Sequence, residues 1–227
     1  MRPKICLILL SVLFSSVANS QKVGLVLSGG GAKGIAHIGV IKALEDNNIP
    51  IDYIAGTSMG AIVGGYYAMG YSPEELIEIL KSEEFRYLSI GEIEPKYRYF
   101  YLTPDPKPSL IEFPLNVKKL DSLLIKPTFL PTNLISPHQM NFAFVNIFTQ
   151  ANTVADGNFD RLFVPFRCVA SDIYGKEAIV FSQGVLGDAI RASMTYPFVY
   201  KPISIDGKLL FDGGIYNNFP VNVMRDE

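Results

Sequence analysis

The chain has few cysteines and histidines, the residues on which disulfides and most zinc sites depend. It contains two cysteines and two histidines, and their spacing matches no zinc site. Calcium-loop and paired-carboxylate patterns are also missing. The formal net charge is −2 and no basic cluster occurs, so nucleic acid is not an expected partner. We therefore expect neither a metal nor another cofactor.

The N-terminus has the layout of a secretory signal peptide. Two basic residues precede a short apolar core at residues 5–14, and small residues at 17–20 offer a cleavage site before Gln21. We expect residues 1–20 to be removed and the protein to be exported to the periplasm, the outer membrane or the medium. An uncleaved anchor is the alternative, but the apolar core is short for a span of about 20 residues.

The chain that remains, residues 21–227, has the length and the apolar content of one domain with a sizeable core. It keeps a single cysteine, Cys168, which cannot form an internal disulfide. The apolar residues around it favour a buried structural thiol over a nucleophile.

The most specific pattern is the pentapeptide GTSMG around Ser58. It follows an apolar run at 51–55 and precedes a helical pattern at 61–69. A serine in a G-x-S-x-G turn between strand and helix exposes its hydroxyl, and the helix N-terminus favours negative charge there. Ser58 is therefore the candidate nucleophile, in a nucleophile elbow with Gly56 and Gly60. An ordinary glycine-rich turn is the alternative.

A second glycine-rich turn lies upstream of the pentapeptide. Residues 23–28 predict a buried strand, GGGAKG follows at 29–34, and a helical pattern covers 35–44. Consecutive glycines allow backbone N–H groups to point into one concavity, which binds anions. Beside a serine nucleophile these groups would form an oxyanion hole. Lys33 either adds positive potential to the loop or is a solvated surface lysine.

The same turn matches the dinucleotide fingerprint G-x-G-x-x-G through Gly29, Gly31 and Gly34. That fingerprint requires an acidic residue at the end of the second strand, where it binds the ribose hydroxyls. Here the second strand ends at the pentapeptide of Ser58, and Asp52 lies at the opposite end of the strand. The sequence therefore disfavours a nucleotide site.

A serine nucleophile needs a base, and neither histidine is well placed. His37 lies in the first helical pattern, where packing or a hydrogen bond behind the glycine loop is expected. His138 lies at a helix start, where a surface or capping role is expected. The better candidate is Asp212, which ends an apolar run at 209–211 and precedes two glycines. Taken alone, Asp-Gly is also a common turn dipeptide.

Together these motifs resemble the patatin-like phospholipases, in both their order and their spacing. They are GGGAKG at 29–34, GTSMG at 56–60 and DGG at 212–214, supported by ASD at 170–172 and the block 191–202. The resemblance extends over about residues 22–226, which is nearly all of the chain after the predicted signal peptide.

The resemblance implies a serine–aspartate dyad in place of a triad. It assigns Ser58 as the nucleophile and Asp212 as the base. The oxyanion loop that it implies consists of Gly29, Gly30, Gly31 and Lys33. The resemblance implies that Gly30 and Gly31 are the main N–H donors of this loop. Relatives often carry arginine at the lysine position, and lysine keeps the charge without the planar fork of arginine.

The resemblance further implies a lipid acyl hydrolase of the secreted bacterial type, with phospholipase A or lysophospholipase activity. Phospholipids or other acyl esters are the expected substrates, and a membrane surface is an expected partner. A non-catalytic lipid-binding domain with the same fold is the alternative. Secreted relatives sometimes continue into an outer-membrane barrel, and in relatives a further apolar strand usually follows the helical pattern at 220–224. A C-terminally truncated domain and a barrel beyond it are therefore left open.

Alternating strand and helix patterns predict an α/β fold with a parallel or mixed sheet covered on both faces. The resemblance implies three layers, α/β/α, around a mostly parallel sheet. Further strands are predicted at 162–170 and 178–181, and further helices at 137–150 and 185–193. Two more helices are predicted to begin at 72–75 and at 220–224. Aromatic residues and prolines at 85–114 predict core packing, with a strand near 97–102, or alternatively an acyl-chain cleft or lid.

Overall fold

The computed structural model describes residues 22–96 and 133–227. The predicted signal peptide and the predicted strand near residues 97–102 lie outside these residues. The described strands form one six-stranded sheet in the order β1-β2-β3-β6-β5, with β4 paired to β3. The strands are β1 (Gly24–Leu27), β2 (Tyr53–Thr57), β3 (Phe166–Asp172), β4 (Glu177–Phe181), β5 (Ile203–Ile205) and β6 (Lys208–Asp212).

The helices of the described residues follow most of the predicted patterns. They are α1 (Ala36–Asp46), α2 (Met59–Ala68), α3 (Pro73–Lys81), α4 (Glu83–Ile90), α5 (His138–Val154), α6 (Leu186–Ser193) and α7 (Val221–Arg225). Ser72 caps α3 with the predicted capping box. Helix α4 was not predicted, and it begins where the Ser82 hydroxyl accepts the Phe85 N–H at 3.0 Å.

The predicted α/β fold around a mostly parallel sheet is confirmed. Strands β1, β2 and β3 pair in parallel. Strands β4 and β6 are antiparallel to β3, and β5 is antiparallel to β6. Strand β5 therefore runs in the same direction as β1, β2 and β3, and the two remaining strands run against them.

Strands β2 and β6 meet end to end along one edge of β3. Thr57, the last residue of β2, pairs with Val169, and Asp212, the last residue of β6, pairs with Ala170. Strand β4 occupies the other edge of β3. Because β6 runs against β2, the carboxyl ends of the two strands face each other. The residues that follow Thr57 and those around Asp212 are therefore brought together.

The two faces of the sheet pack against different helices. Ile54 and Cys168 belong to the main core cluster, which includes Ile62 of α2 and Ile190 of α6. Successive strand residues point to opposite faces. Ala55 and Val169 accordingly pack with Val223 of α7 in a separate cluster. The sheet thus has helices on both faces, which gives the three predicted layers.

Candidate active site

Ser58 lies in the tight turn between β2 and α2, directly before the first residue of the helix. Its backbone has φ 55° and ψ −121°, a conformation that costs a non-glycine residue about 1–3 kcal/mol and occurs mainly at functional sites. The structure therefore places the strain on the serine and leaves the flanking glycines in ordinary conformations.

Gly56 and Gly60 are needed for close packing around this turn. A Cβ atom on Gly56 would lie 2.5 Å from the Gly60 carbonyl oxygen, and one on Gly60 would lie 2.3 Å from the Leu27 carbonyl oxygen. Both neighbours are backbone atoms, which cannot give way locally. The glycines thus let α2 start directly against β1 and β2.

The structure brings the two predicted dyad residues into contact. The Ser58 hydroxyl donates a hydrogen bond of 2.7 Å to Oδ2 of Asp212. The contact joins the ends of β2 and β6 where they meet along β3. A carboxylate at hydrogen-bond distance is positioned to accept the proton of a serine nucleophile.

Asp212 is buried, with 6% of its surface exposed. Its other carboxylate oxygen, Oδ1, accepts the Gly214 N–H at 2.8 Å, and its own N–H donates to the Thr195 carbonyl at 2.8 Å. Burial raises the pKa of Asp212, and the hydrogen bonds from Ser58 and Gly214 offset only part of that rise. A carboxylate with a raised pKa is a stronger base than an exposed aspartate.

The glycine loop lies beside the dyad. One of its N–H groups binds within the protein, and two others lie at the start of a helical turn, where they can bind an anion. The Gly29 N–H donates to the Asn218 carbonyl at 3.1 Å. Gly30 and Gly31 open a short 3-10 turn, so their N–H groups precede the first hydrogen bond inside that turn. Both residues line the same cavity as Ser58. Gly31 has φ +55°, a conformation that glycine adopts without strain.

The Lys33 side chain does not line the cavity of Ser58. It lies in the same 3-10 turn, but it is exposed and is absent from the described residues that line the cavity with Ser58. Of the two predictions made for Lys33, the solvated surface lysine therefore fits the structure better.

The histidines and the cysteine have the structural roles that were expected. Nε2 of His37 donates to the Ser28 carbonyl at 2.8 Å, behind the glycine loop. His138 is exposed at the start of α5. Cys168 is fully buried in β3, and burial raises the pKa of its thiol to about 12.

Asp52 has a structural contact as well. Its Oδ2 atom accepts the Val23 N–H at 2.6 Å and so connects the start of β2 to the chain before β1.

Asn218 is a site residue that the sequence reasoning missed. Its Oδ1 atom lies 2.4 Å from where a Cβ of Gly29 would be and 2.8 Å from where a Cβ of Gly214 would be. Glycine at 29 and 214 therefore leaves room for its amide beside Ser58. The signal in the sequence was the polar pair 217–218, which follows the Asp-Gly-Gly turn and precedes Phe-Pro.

A cavity of about 930 Å³ opens over the dyad. Ser58, Asp212 and the glycines at 29–31 line one part of it, here named the dyad wall. Its apolar lining includes Ile62, Met140 and Met194, which are nearly buried.

Two aromatic residues that line the cavity are strongly exposed, Tyr196 (62%) and Phe198 (80%), and are here named the aromatic rim. Phe198 has φ 66°, which is rare for a bulky residue.

Comparison with known proteins identifies the family. The family model described as patatin-like phospholipase matches residues 25–225, which include the dyad, the glycine loop and the whole described sheet apart from Gly24. The chain belongs to the patatin-like phospholipase family.

Similar proteins of the family include proteins of yeasts and of a nematode. The chain is 32% identical over 206 residues to lysophospholipase NTE1 of Kluyveromyces lactis, and 30% identical over 209 residues to that of Saccharomyces cerevisiae. It is 30% identical over 212 residues to the patatin-like phospholipase domain-containing protein ZK370.4 of Caenorhabditis elegans. The alignments cover 91–92% of this chain but 10–13% of these relatives. The chain thus corresponds to a small part of each.

Among solved structures, VipD from Legionella pneumophila has the same fold. The match has a TM-score of 0.53 at 15% identity and covers 88% of this chain and 47% of VipD. The yeast and nematode relatives give no support to the narrower prediction of a secreted bacterial type, which stays a prediction. In the part of the chain that the structure describes, no helix is long and apolar enough to cross a bilayer.

Proposed function

We propose that this domain is a lipid acyl hydrolase that cleaves fatty-acyl esters through a Ser58–Asp212 dyad. The observation that carries the proposal is the 2.7 Å hydrogen bond from the Ser58 hydroxyl to Asp212, on a strained turn that opens into the cavity. Membership of the patatin-like phospholipase family and the NTE1 relatives support the substrate class.

The first half of the reaction forms an acyl-enzyme. Ser58 Oγ attacks the ester carbonyl carbon while its proton passes to Oδ2 of Asp212. The negative charge on the carbonyl oxygen is stabilised by the N–H groups of Gly30 and Gly31 and by the N-terminus of α2. The carbon–oxygen bond of the ester then breaks, and Asp212 returns the proton to the departing alcohol or lysolipid.

The second half releases the fatty acid. A water molecule gives a proton to Asp212 and attacks the acyl carbon, and the bond to Ser58 Oγ breaks as the serine takes the proton back. The raised pKa of Asp212 suits both steps, because the group must accept a proton and then give it up. His37 is occupied by the Ser28 carbonyl, which is consistent with aspartate acting in place of histidine.

The apolar part of the cavity suits an acyl chain. Ile62, Met140 and Met194 offer methyl and thioether groups rather than charge, and methionine adapts to flexible ligands. The exposed aromatic rim at the same cavity suits contact with an aggregated lipid or a membrane surface. Phospholipase A and lysophospholipase activities both fit this lining.

A fluorophosphonate probe tests the nucleophile directly. We expect it to label the wild-type protein and not the Ser58→Ala variant, and ester hydrolysis should disappear with the labelling. Ser204→Ala is the matched control, since Ser204 is an exposed serine of β5. Folded protein that the probe does not label would favour the non-catalytic lipid-binding domain. A panel of phospholipids, lysophospholipids and neutral lipids then identifies the substrate.

Export is a separate part of the proposal, and the layout of residues 1–20 supports it. The chain isolated from an expressing cell should begin at Gln21. Mass spectrometry of the intact protein decides this point, and a chain that retains Met1 would contradict cleavage without affecting the proposed chemistry.

A further inference from the structure

Ser193, the last residue of α6, connects the nucleophile turn to the central strand. It is fully buried. Its hydroxyl oxygen accepts the backbone N–H of Ser58 at 2.8 Å and donates to the Val169 carbonyl of β3 at 2.5 Å. One hydroxyl group thus completes a bridge from β3 to the turn that carries the nucleophile.

The bridge holds a residue whose backbone conformation is strained. Ser58 is held at a positive φ, where the surrounding structure has to fix the backbone. Ser58 is the N-cap residue of α2. The N–H groups at the N-terminus of a helix, that of the N-cap residue included, lack acceptors within the helix. Without the Ser193 hydroxyl, this N–H would lose its acceptor, and the turn would lose its hydrogen-bonded connection to the Val169 carbonyl.

The same short segment also holds the other member of the dyad. Two residues after Ser193, the Thr195 carbonyl accepts the Asp212 N–H at 2.8 Å. Thr195 is itself fixed, because its buried hydroxyl donates to the Arg191 carbonyl at 2.7 Å. The Arg191 side chain in turn binds Asn141 Oδ1 at 2.8 Å. The segment at the end of α6 is therefore fastened to α5.

We propose that Ser193 is a positioning residue, which orients Ser58 toward Asp212 by holding the Ser58 N–H against β3. The inference rests on the proposed function, since it concerns the geometry of the dyad. It also means that the Ser58 N–H is not a donor to the oxyanion. The charge on the substrate oxygen is then stabilised by the glycine loop and by the dipole of α2, with no hydrogen bond from this N–H group.

The chain contains a matched control in Ser171. This serine is also fully buried, and it lies in β3 two residues after Val169. Its hydroxyl has no hydrogen-bond partner among the described residues. A serine-to-alanine change at 171 therefore removes a buried hydroxyl of the same kind without removing a hydrogen bond.

The experiment compares Ser193→Ala with Ser171→Ala in kcat and KM on a short soluble ester, in the rate of fluorophosphonate labelling, and in Tm. We expect Ser193→Ala to lower kcat and the labelling rate by about 10- to 100-fold with little change in KM, since small misplacements of reacting groups have effects of this size. Ser171→Ala should leave both unchanged. Ser193→Thr, which keeps the hydroxyl, should restore part of the rate.

Two results would overturn the inference. One is a Ser193→Ala variant with wild-type kcat, whatever its Tm. The other is an equal loss of kcat in the Ser193→Ala and Ser171→Ala variants. If Ser193→Ala does not fold, Ser193→Cys replaces it, because a thiol is close in size but a weak hydrogen-bonding group. Failure of the wild type to react with the probe would overturn the dyad as well, whereas a labelled wild type with an unaffected Ser193→Ala variant would reject the positioning role alone.

Discussion

The dyad wall and the aromatic rim belong to the same cavity but are built differently. Ser58 and Asp212 sit on backbone that is tied by hydrogen bonds to neighbouring strands and to the end of α6. Tyr196 and Phe198 instead present exposed rings at the same cavity. The difference lies in the side chains: the wall presents hydrogen-bonded polar groups that face the proposed reaction, while the rim presents exposed apolar area. Substitutions should therefore affect turnover at the wall and access of aggregated substrate at the rim.

The largest effect is expected for Asp212→Asn. The amide keeps the shape but cannot take the proton of Ser58, so kcat should fall by about 10²–10⁴-fold, the usual contribution of a positioned base. KM on a soluble ester should change little. Asp206→Asn is the matched control, because Asp206 is exposed in the turn before β6 and asparagine accepts its φ of 51°. Wild-type turnover in Asp212→Asn would reject Asp212 as the base.

Gly60→Ala should lower the free energy of unfolding of the domain by about 1–3 kcal/mol, the usual effect of overpacking a core. The added methyl group would lie 2.3 Å from the Leu27 carbonyl oxygen, and β1 or α2 would have to move. Gly39→Ala makes the same change in α1, where no heavy atom lies within 4 Å, and should stabilise by about 0.5–1 kcal/mol. Denaturant unfolding of both variants measures the contrast. Equal stabilities would contradict the packing described for the nucleophile elbow.

At the rim, Phe198→Ser should lower activity on micellar lipid by roughly tenfold and leave activity on a short soluble ester unchanged. Tenfold corresponds to a loss of about 1.4 kcal/mol, which lies within the transfer free energy of one aromatic side chain. Phe163→Ser is the control, since Phe163 is also exposed (73%) and does not line the cavity. Equal losses on both substrates would indicate damage to the dyad wall rather than a weaker lipid contact.

The smallest effect concerns pH. Because burial raises the pKa of Asp212, the acid limb of kcat/KM should lie above the value of about 3.9 of an exposed aspartate. A raised carboxyl pKa also means that folding favours the protonated form, so the contribution of Asp212 to stability is present at low pH and is lost as pH rises. Asp212→Asn should therefore raise Tm at neutral pH and lose this advantage in acid. An acid limb at or below 3.9 would contradict the raised pKa.

The parts of the site that the sequence predicted are those that local patterns encode. The strand–turn–helix around Ser58 follows from an apolar run, a G-x-S-x-G turn and a helical pattern, each of which acts over a few residues. The glycine loop was predicted in the same way. The local pattern at Asp212 was weak, and Asp212 was predicted as the base only through the family resemblance that the order and spacing of three motifs carry. Helix α4 was missed, because aromatic residues and nearby prolines obscured its helical pattern.

Ser193 and Asn218 could not be predicted in the same way. Ser193 is one polar residue at the end of an amphipathic helix, and nothing near it in sequence indicates that its hydroxyl binds a residue 135 positions away. The fit of Asn218 depends on the approach of the Gly29 and Gly214 backbones from separate parts of the chain. Both roles arise from long-range packing, which single-residue patterns do not encode.

The sequence by itself determined the family, the alternation of strands and helices, and the position of Ser58, the proposed nucleophile, on its turn. These depend on short-range hydrogen bonding, on apolar periodicity and on glycines at close approaches. Tertiary structure decided that β2 and β6 share one edge of β3, with Thr57 and Asp212 opposite consecutive residues of that strand. Because both strands pair with β3, Ser58 and Asp212 meet although they are 154 positions apart, and burial of whole sheet faces selects this pairing. The 2.7 Å contact of the dyad is a consequence of that register.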